Sequence, residues 1–167
     1  MLIGGPPCQA YSVAGRSRNK GVQGYRADWD QRQYLYTEYL EIIADHWPAI
    51  FVMENVKGLL SATLRNQPVF DFIHEDLSAP ARALQRRSGH GRAHKYTIFS
   101  LAPDGGLFDD VGLQDFVVKA ERHGVPQARH RVILLGIRDD LAAPTISRRH
   151  LLPTVEEIPA HSVLDGM

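Results

Sequence analysis

The chain has 167 residues, 44% of them apolar and 23% charged, with 14 Gly and 10 Pro, which is enough to bury one core of ordinary size and excludes a multidomain assembly. No stretch approaches the roughly 18 to 20 apolar residues a bilayer span needs, Met1-Leu2-Ile3-Gly4-Gly5-Pro6 lacks a basic-then-apolar leader, and the lone Cys8 excludes an internal disulfide, so a cytoplasmic protein with no membrane partner is expected. Nineteen Lys plus Arg against nineteen Asp plus Glu exclude nucleic-acid binding by overall charge, so any such binding must be local.

Leu2-Ile3 followed by Gly4-Gly5-Pro6-Pro7 reads as the end of a strand running into a turn. From Gln31 to His46, the positions Tyr34, Leu35, Leu40, Ile42 and Ile43 fall mostly at helical spacing, and Trp47-Pro48 ends the predicted helix. Ala49 to Met53 is a short apolar run rich in β-branched and aromatic residues, of the type buried on both faces of a parallel sheet, and predicts a central strand. Gln67 to Arg87 carries Val69, Phe70, Phe72, Ile73, Leu77 and Leu84 at loosely helical spacing, but Pro80 must break it near Ala79, which predicts two helical pieces.

The stretch from Leu77 to Pro103 has Arg82, Arg86, Arg87, Arg92 and Lys95 and no acid, and reads as a solvated helix face and loop or as a phosphate-facing patch. Tyr96 to Phe99 and Phe116 to Val118 predict strand cores, with an acidic, Gly-rich loop from Asp104 to Gly112 between them. Val132 to Ile137 is the clearest strand. Beyond Arg138, Pro144, Pro153 and Pro159 amid mixed polarity suggest a linker or tail, so the expected division is a domain over residues 1–140 and a tail over 141–167 leading towards a missing recognition domain.

Strands alternating with helices argue for an α/β sheet covered by helices on both faces. Ligands in such sheets sit at the carboxyl ends of the strands, where Cys8, after the first strand, and Glu54, after the second, are both expected. Cys8 in a rigid turn poor in side chains can act as a nucleophile if positive charge or backbone donors ionise it; its plain alternative is a small buried apolar group.

Three elements follow one another in order: Pro7-Cys8-Gln9 with Tyr11-Ser12, then Glu54-Asn55-Val56, then Gly124-Val125-Pro126-Gln127-Ala128-Arg129-His130-Arg131-Val132. Together they resemble the cytosine-C5 DNA methyltransferases, whose Pro-Cys-Gln turn, Glu-Asn-Val and Gln-x-Arg-x-Arg motifs they match over roughly Leu2 to Arg138. The resemblance implies a partial Rossmann-like sheet of the S-adenosylmethionine-dependent methyltransferase type, acting on DNA rather than RNA in a restriction–modification setting. It implies that Cys8 adds to C6 of a flipped cytosine, that Glu54 at N3 and Arg131 at O2 stabilise the resulting negative charge, and that Arg129 holds Glu54 and favours the thiolate. C5 then takes a methyl group from S-adenosylmethionine. The resemblance also implies that Pro7 and Leu35 line the methyl-donor pocket and that Gln9, Ser12, Arg16 and Arg32 meet DNA. The Ser12 to Arg26 segment would close over it, with Gly15, Gly21 and Gly24 as hinges. For both arginines to reach the carboxyl edge, the last strand must leave that edge and run antiparallel to the others.

Plainer readings exist for these residues. Glu54 caps the helix that follows, and Arg129 and Arg131, alternating on one strand face, form surface ion pairs. His90 and His94, beside Gly89 and Gly91 and without a cysteine partner, are loop residues rather than metal ligands, so no metal is expected.

The chain departs from the family in lacking the opening strand and Gly-rich turn that grip the cofactor; Asp104-Gly105-Gly106 lies in a loop. The recognition domain and closing helix after Arg138 are missing too. An incomplete cofactor site, an inactive isolated chain, and an exposed sheet edge that promotes a homodimer are therefore expected. The alternatives are a tRNA cytosine-C5 methyltransferase, and a non-catalytic truncated remnant or subunit of a split enzyme.

Overall fold

A computed structural model describes residues 1–6, 36–64, 66–84, 93–101, 112–141, 152–153 and 155–156. In chain order the elements are β1 (Leu2–Gly4), α1 (Tyr36–His46), β2 (Ile50–Val56), a 3-10 turn (Lys57–Ser61), β3 (Thr63–Leu64), β4 (Gln67–Pro68), α2 (Val69–Ser78) and α3 (Pro80–Ala83). They continue with β5 (Tyr96–Ser100), a 3-10 turn (Leu113–Phe116), β6 (Val117–Lys119), a 3-10 turn (Ala120–His123) and β7 (His130–Arg138).

The main sheet has the order β1-β2-β7-β5, with β6 also bonded to β7. β1 and β2 are parallel, whereas β7 is antiparallel to β2, β5 and β6, so the last strand runs against the others, as both arginines required. β5 pairs with Leu134–Arg138 and β6 with His130–Val132, which places these two strands end to end along one side of β7. The carboxyl ends of β1, β2 and β6 thus share an edge with the amino end of β7.

The core lies between the sheet and the helices. Tyr39, Leu40 and Ile43 of α1 and Phe70, Ile73 and Leu77 of α2 form apolar stripes at helical spacing, buried in one cluster with Phe51, Met53, Val132 and Leu134 of the sheet. Phe51 is enclosed by Tyr39 and Tyr96, both edge-on, with ring centroids 6.1 and 5.0 Å away. Gly136, directly opposite Phe51 on β7, leaves room for that ring: a Cβ there would lie 2.2 Å from it.

β2 differs from the expected strand in two ways. It extends through Glu54 and Asn55 to Val56, because pairing with Arg131, Val132 and Ile133 carries the ladder past the apolar run. It is also buried on alternate residues only: Phe51, Met53 and Asn55 face the helices, while Val52, Glu54 and Val56 are half-buried on the other face. On that second face Ile3 of the edge strand β1 is 65% exposed.

Trp47-Pro48 ends α1 as expected, but by an unexpected conformation. Trp47 is left-handed (φ 43°), and its N–H donates to Ile43. A bulky residue there costs on the order of 1–2 kcal/mol. Stacking on Tyr96 and a hydrogen bond from Arg138 Nη1 to the Trp47 carbonyl, 2.6 Å, offset it.

The break near Ala79 and the two helical pieces are where Pro80 requires them. Tyr36 donates a short hydrogen bond to Asp76, joining the start of α1 to α2. The β3–β4 hairpin, turning through left-handed Asn66, had no counterpart in the sequence reading. Part of the expected tail lies against the domain: the Leu152 N–H donates to Leu101 and the Val155 N–H to Arg122. Among the described residues no helix is long and apolar enough to cross a membrane.

Candidate active site

The strand ends build the site. Glu54 stands on the half-buried face of β2, and its register partner on β7 is Ile133. Arg131, two residues before Ile133, is therefore on the same face and diagonal to Glu54, within reach of a long side chain. The two meet: Arg131 Nε is 2.6 Å from Glu54 Oε1. The buried Nε–H does not point along that line, so the contact is ionic rather than an aligned hydrogen bond. Arg131 Nη1 donates instead to the carbonyl of His130, 2.8 Å away. The guanidinium is thus anchored at two points, and the Glu54 side chain stays 43% exposed, open to a ligand on its free side.

Gly5, in the turn that leads to Cys8, backs onto the same carboxylate. A Cβ on it would lie 3.0 Å from Glu54 Oε2, so this glycine is the residue that lets the turn and the acid approach. Three positions separate Gly5 from Cys8 along the chain. Cys8 lies outside the described residues, as do Pro7, Gln9, Ser12, Arg16, Arg32 and Leu35.

Of the two arginines, Arg131 is the one in contact with Glu54 among the described residues. Arg129 precedes β7 and is exposed; its N–H donates to Gln127 and its carbonyl accepts from Ala120. The register explains this, since Arg129 is two residues further than Arg131 from the rung opposite Glu54. The capping alternative for Glu54 is not what forms: the N-cap of the following 3-10 turn is Val56. Buried Asn55 accepts the Val56 N–H through Oδ1 at 2.8 Å, which fixes the backbone just beyond the acid.

Sequence reasoning passed over one pair. Glu121, on the turn after β6, places Oε1 2.6 Å from His130 Nε2, inside the Gln127 to Arg131 motif. Its own main-chain N–H and then His130 hold its carboxyl below the usual range, although only His130 is aligned as a full hydrogen-bond partner. The signal available was a titratable residue at the position between two arginines. Of the basic stretch, Arg82 is exposed and pairs with Glu75, a solvated-face arrangement. His94 sits edge-on to Trp47 and 3.8 Å from Asp140, at the far end of β2 from Glu54.

Residues 1–79 match the model of the C-5 cytosine-specific DNA methylases. Over 141 residues, 84% of its length, the chain is 36% identical to the Type II methyltransferase M.Bpa9945I of Bacillus paralicheniformis. Over most of its length the chain is thus similar to the C-5 cytosine-specific DNA methylases. It is also 32% identical over 164 residues to the DNA (cytosine-5-)-methyltransferase M.ApeKI of Aeropyrum pernix, and 30% identical over 138 residues to the Type II methyltransferase M.AquIA of a Picosynechococcus species. It spans 26%, 29% and 43% of these three methylases, respectively. In fold, 99% of the chain superposes on 34% of an Escherichia coli prophage-encoded protein described as a DNA modification methyltransferase, with a TM-score of 0.55 and 22% identity.

Proposed function

We propose that this chain forms the catalytic half of a cytosine-C5 DNA methyltransferase, with Cys8, Glu54, Arg129 and Arg131 at its centre. The observation that carries the reading is the contact of Arg131 with Glu54 on the strand edge where the Gly4-Gly5 turn also ends. A thiolate from Cys8 forms the bond to C6 of an extruded cytosine, which sends negative charge to N3 and O2. Glu54 donates to N3 through a carboxyl proton, since an ionised carboxylate and N3 would both be acceptors. Arg131 keeps Glu54 in place and offers its remaining donors towards O2, in a site where fixed dipoles meet charge as it develops. Exposed Arg129 is free to turn towards the thiol or a phosphate. Once C5 carries the methyl group, loss of its proton to water lets the C6–sulfur bond break and returns the thiolate.

S-adenosylmethionine supplies the methyl group when bound, and Pro7 and Leu35 are the residues of this chain assigned to it. The described residues at the strand edge do not by themselves make its site, which requires further elements. The family relationship supports DNA as substrate, with Gln9, Ser12, Arg16 and Arg32 as its contacts, and a cytoplasmic place of action. Residues 1–140 form the catalytic part and residues 141–167 lead towards a recognition domain.

The test is covalent capture. The chain, supplied with a cofactor-binding segment, is mixed with S-adenosylmethionine and duplex DNA containing 5-fluorocytosine, whose fluorine blocks the release step. A denaturing gel is expected to show a shifted protein–DNA band. A folded, complemented chain that gives no band supports the non-catalytic reading, and capture by tRNA alone reassigns the substrate.

Self-association through the β1 edge is proposed on the exposure of Ile3 and the open outer side of that strand among the described residues. Sedimentation velocity is expected to show a dimer, and a soluble monomer across the concentration range overturns it.

A further inference from the structure

We propose that Glu121 and His130 are positioning residues for Arg131, setting the angle at which its guanidinium meets Glu54. The proposal rests on the reading of Glu54 and Arg131 as a working pair.

His130 and Arg131 are consecutive in β7, so their side chains leave opposite faces of the strand. They are nevertheless coupled, because Arg131 Nη1 donates to the carbonyl of His130. Where that carbonyl points therefore determines where the guanidinium sits. The His130 main chain is paired with Lys119 of β6, and the Ala120 N–H donates to Arg129. The His130 side chain is held by Glu121 on the turn that immediately follows β6.

An ionised carboxylate only accepts hydrogen bonds, so the 2.6 Å contact requires the proton on His130 Nε2 and fixes the ring. Glu121 thereby clamps both ends of the segment from Glu121 to His130, which contains the Gly124 to Gln127 turn. A continuous path runs from Glu121 through the His130 ring and carbonyl to Arg131, and from there to Glu54.

A purely cohesive role fits this pair poorly. Glu121 Oε2 is buried and has no aligned donor among the described residues, an arrangement an apolar pair of similar size would avoid. What the carboxylate supplies and an apolar group cannot is direction. Its lowered pKa, from its own main-chain N–H and from His130, keeps it ionised and accepting at neutral pH.

The measurement is the ¹⁵N-detected exchange of the Arg131 Nε–H in the whole chain, assigned by its loss in Arg131→Lys. In the native chain this buried proton is expected to exchange slowly. Glu121→Ala should speed its exchange by roughly tenfold, the loss of one charge-assisted hydrogen bond, while amide protection of Leu134 in the same strand is unchanged. Glu121→Gln, which still accepts from His130, should restore slow exchange. His130→Phe, which keeps a ring but removes its nitrogens, should behave as Glu121→Ala and serves if that variant fails to fold.

An Arg131 proton indifferent to both variants overturns the proposal, as does equal loss of protection at Leu134, the mark of a merely structural contact. Neither DNA nor cofactor enters this experiment. A chain that shows the coupling but fails covalent capture refutes the methyltransferase reading and leaves this one standing.

Discussion

Cys8→Ala is expected to abolish covalent capture of 5-fluorocytosine DNA, and Arg131→Ala to slow it by about 10²–10³-fold, the usual effect of removing one preorganised donor from developing negative charge. The first substitution removes the atom that forms the bond. The second leaves the nucleophile in place but frees Glu54 from its counter-ion, which stands 2.6 Å from its oxygen and holds it towards N3. Arg131→Lys should recover little, because a single ammonium cannot reach Glu54 and the His130 carbonyl together. Arg129→Ala, which removes an exposed side chain from a position beyond the Glu54 contact that Arg131 makes, should slow capture less than Arg131→Ala. Rates of adduct formation across this series, with thermal melts to verify folding, distinguish the two arginines; the reverse order would return the acid to Arg129.

Alanine in place of Gly136 is expected to destabilise the fold by about 3 kcal/mol, the upper range for an overfilled core. Its methyl group would lie 2.2 Å from ring atoms of Phe51, a side chain that is fully buried and wedged between Tyr39 and Tyr96. Neither neighbour can yield readily: Tyr39 donates to the Val52 carbonyl and Tyr96 to that of Pro48, both at 2.8 Å. Urea unfolding should show a lower midpoint at unchanged slope. Phe51→Leu in the Gly136→Ala background should recover part of the loss, with a coupling of about 1 kcal/mol or more between the two positions. A Gly136→Ala midpoint within about 0.5 kcal/mol of native would mean that Phe51 and Gly136 are not opposite one another.

Much of the site was legible because its chemistry constrains direction. Two guanidinium groups needed at one sheet edge forced β7 to run against its neighbours, and it does. What was not legible was the rung. Alternation along a strand tells which residues share a face, but which of Arg129 and Arg131 reaches Glu54 depends on a pairing between strands far apart in sequence. The length of β2 was hidden for a similar reason: Glu54-Asn55 breaks the apolar run, and only the ladder with β7 keeps those residues extended. The Asn66 hairpin is two residues per strand, with Pro68 in one of them, too short for any periodicity to show. Glu121 carries no mark of its own in sequence, since its partner is brought to it by the turn of chain between β6 and β7.

The reversed strand also has a consequence for how the chain comes to be folded. Among the described residues, β5 and β6 find hydrogen-bonding neighbours in β7 alone, and β7 is synthesised after both. Until translation passes Arg138, both earlier segments leave the ribosome with open ladders, and long-range closure of this sort is slow and exposed to wrong pairing. A nascent polypeptide of this sequence therefore acquires its zipper only after the strands it fastens, and a chain cut short before that point would leave β5 and β6 with nothing to close upon among the described strands.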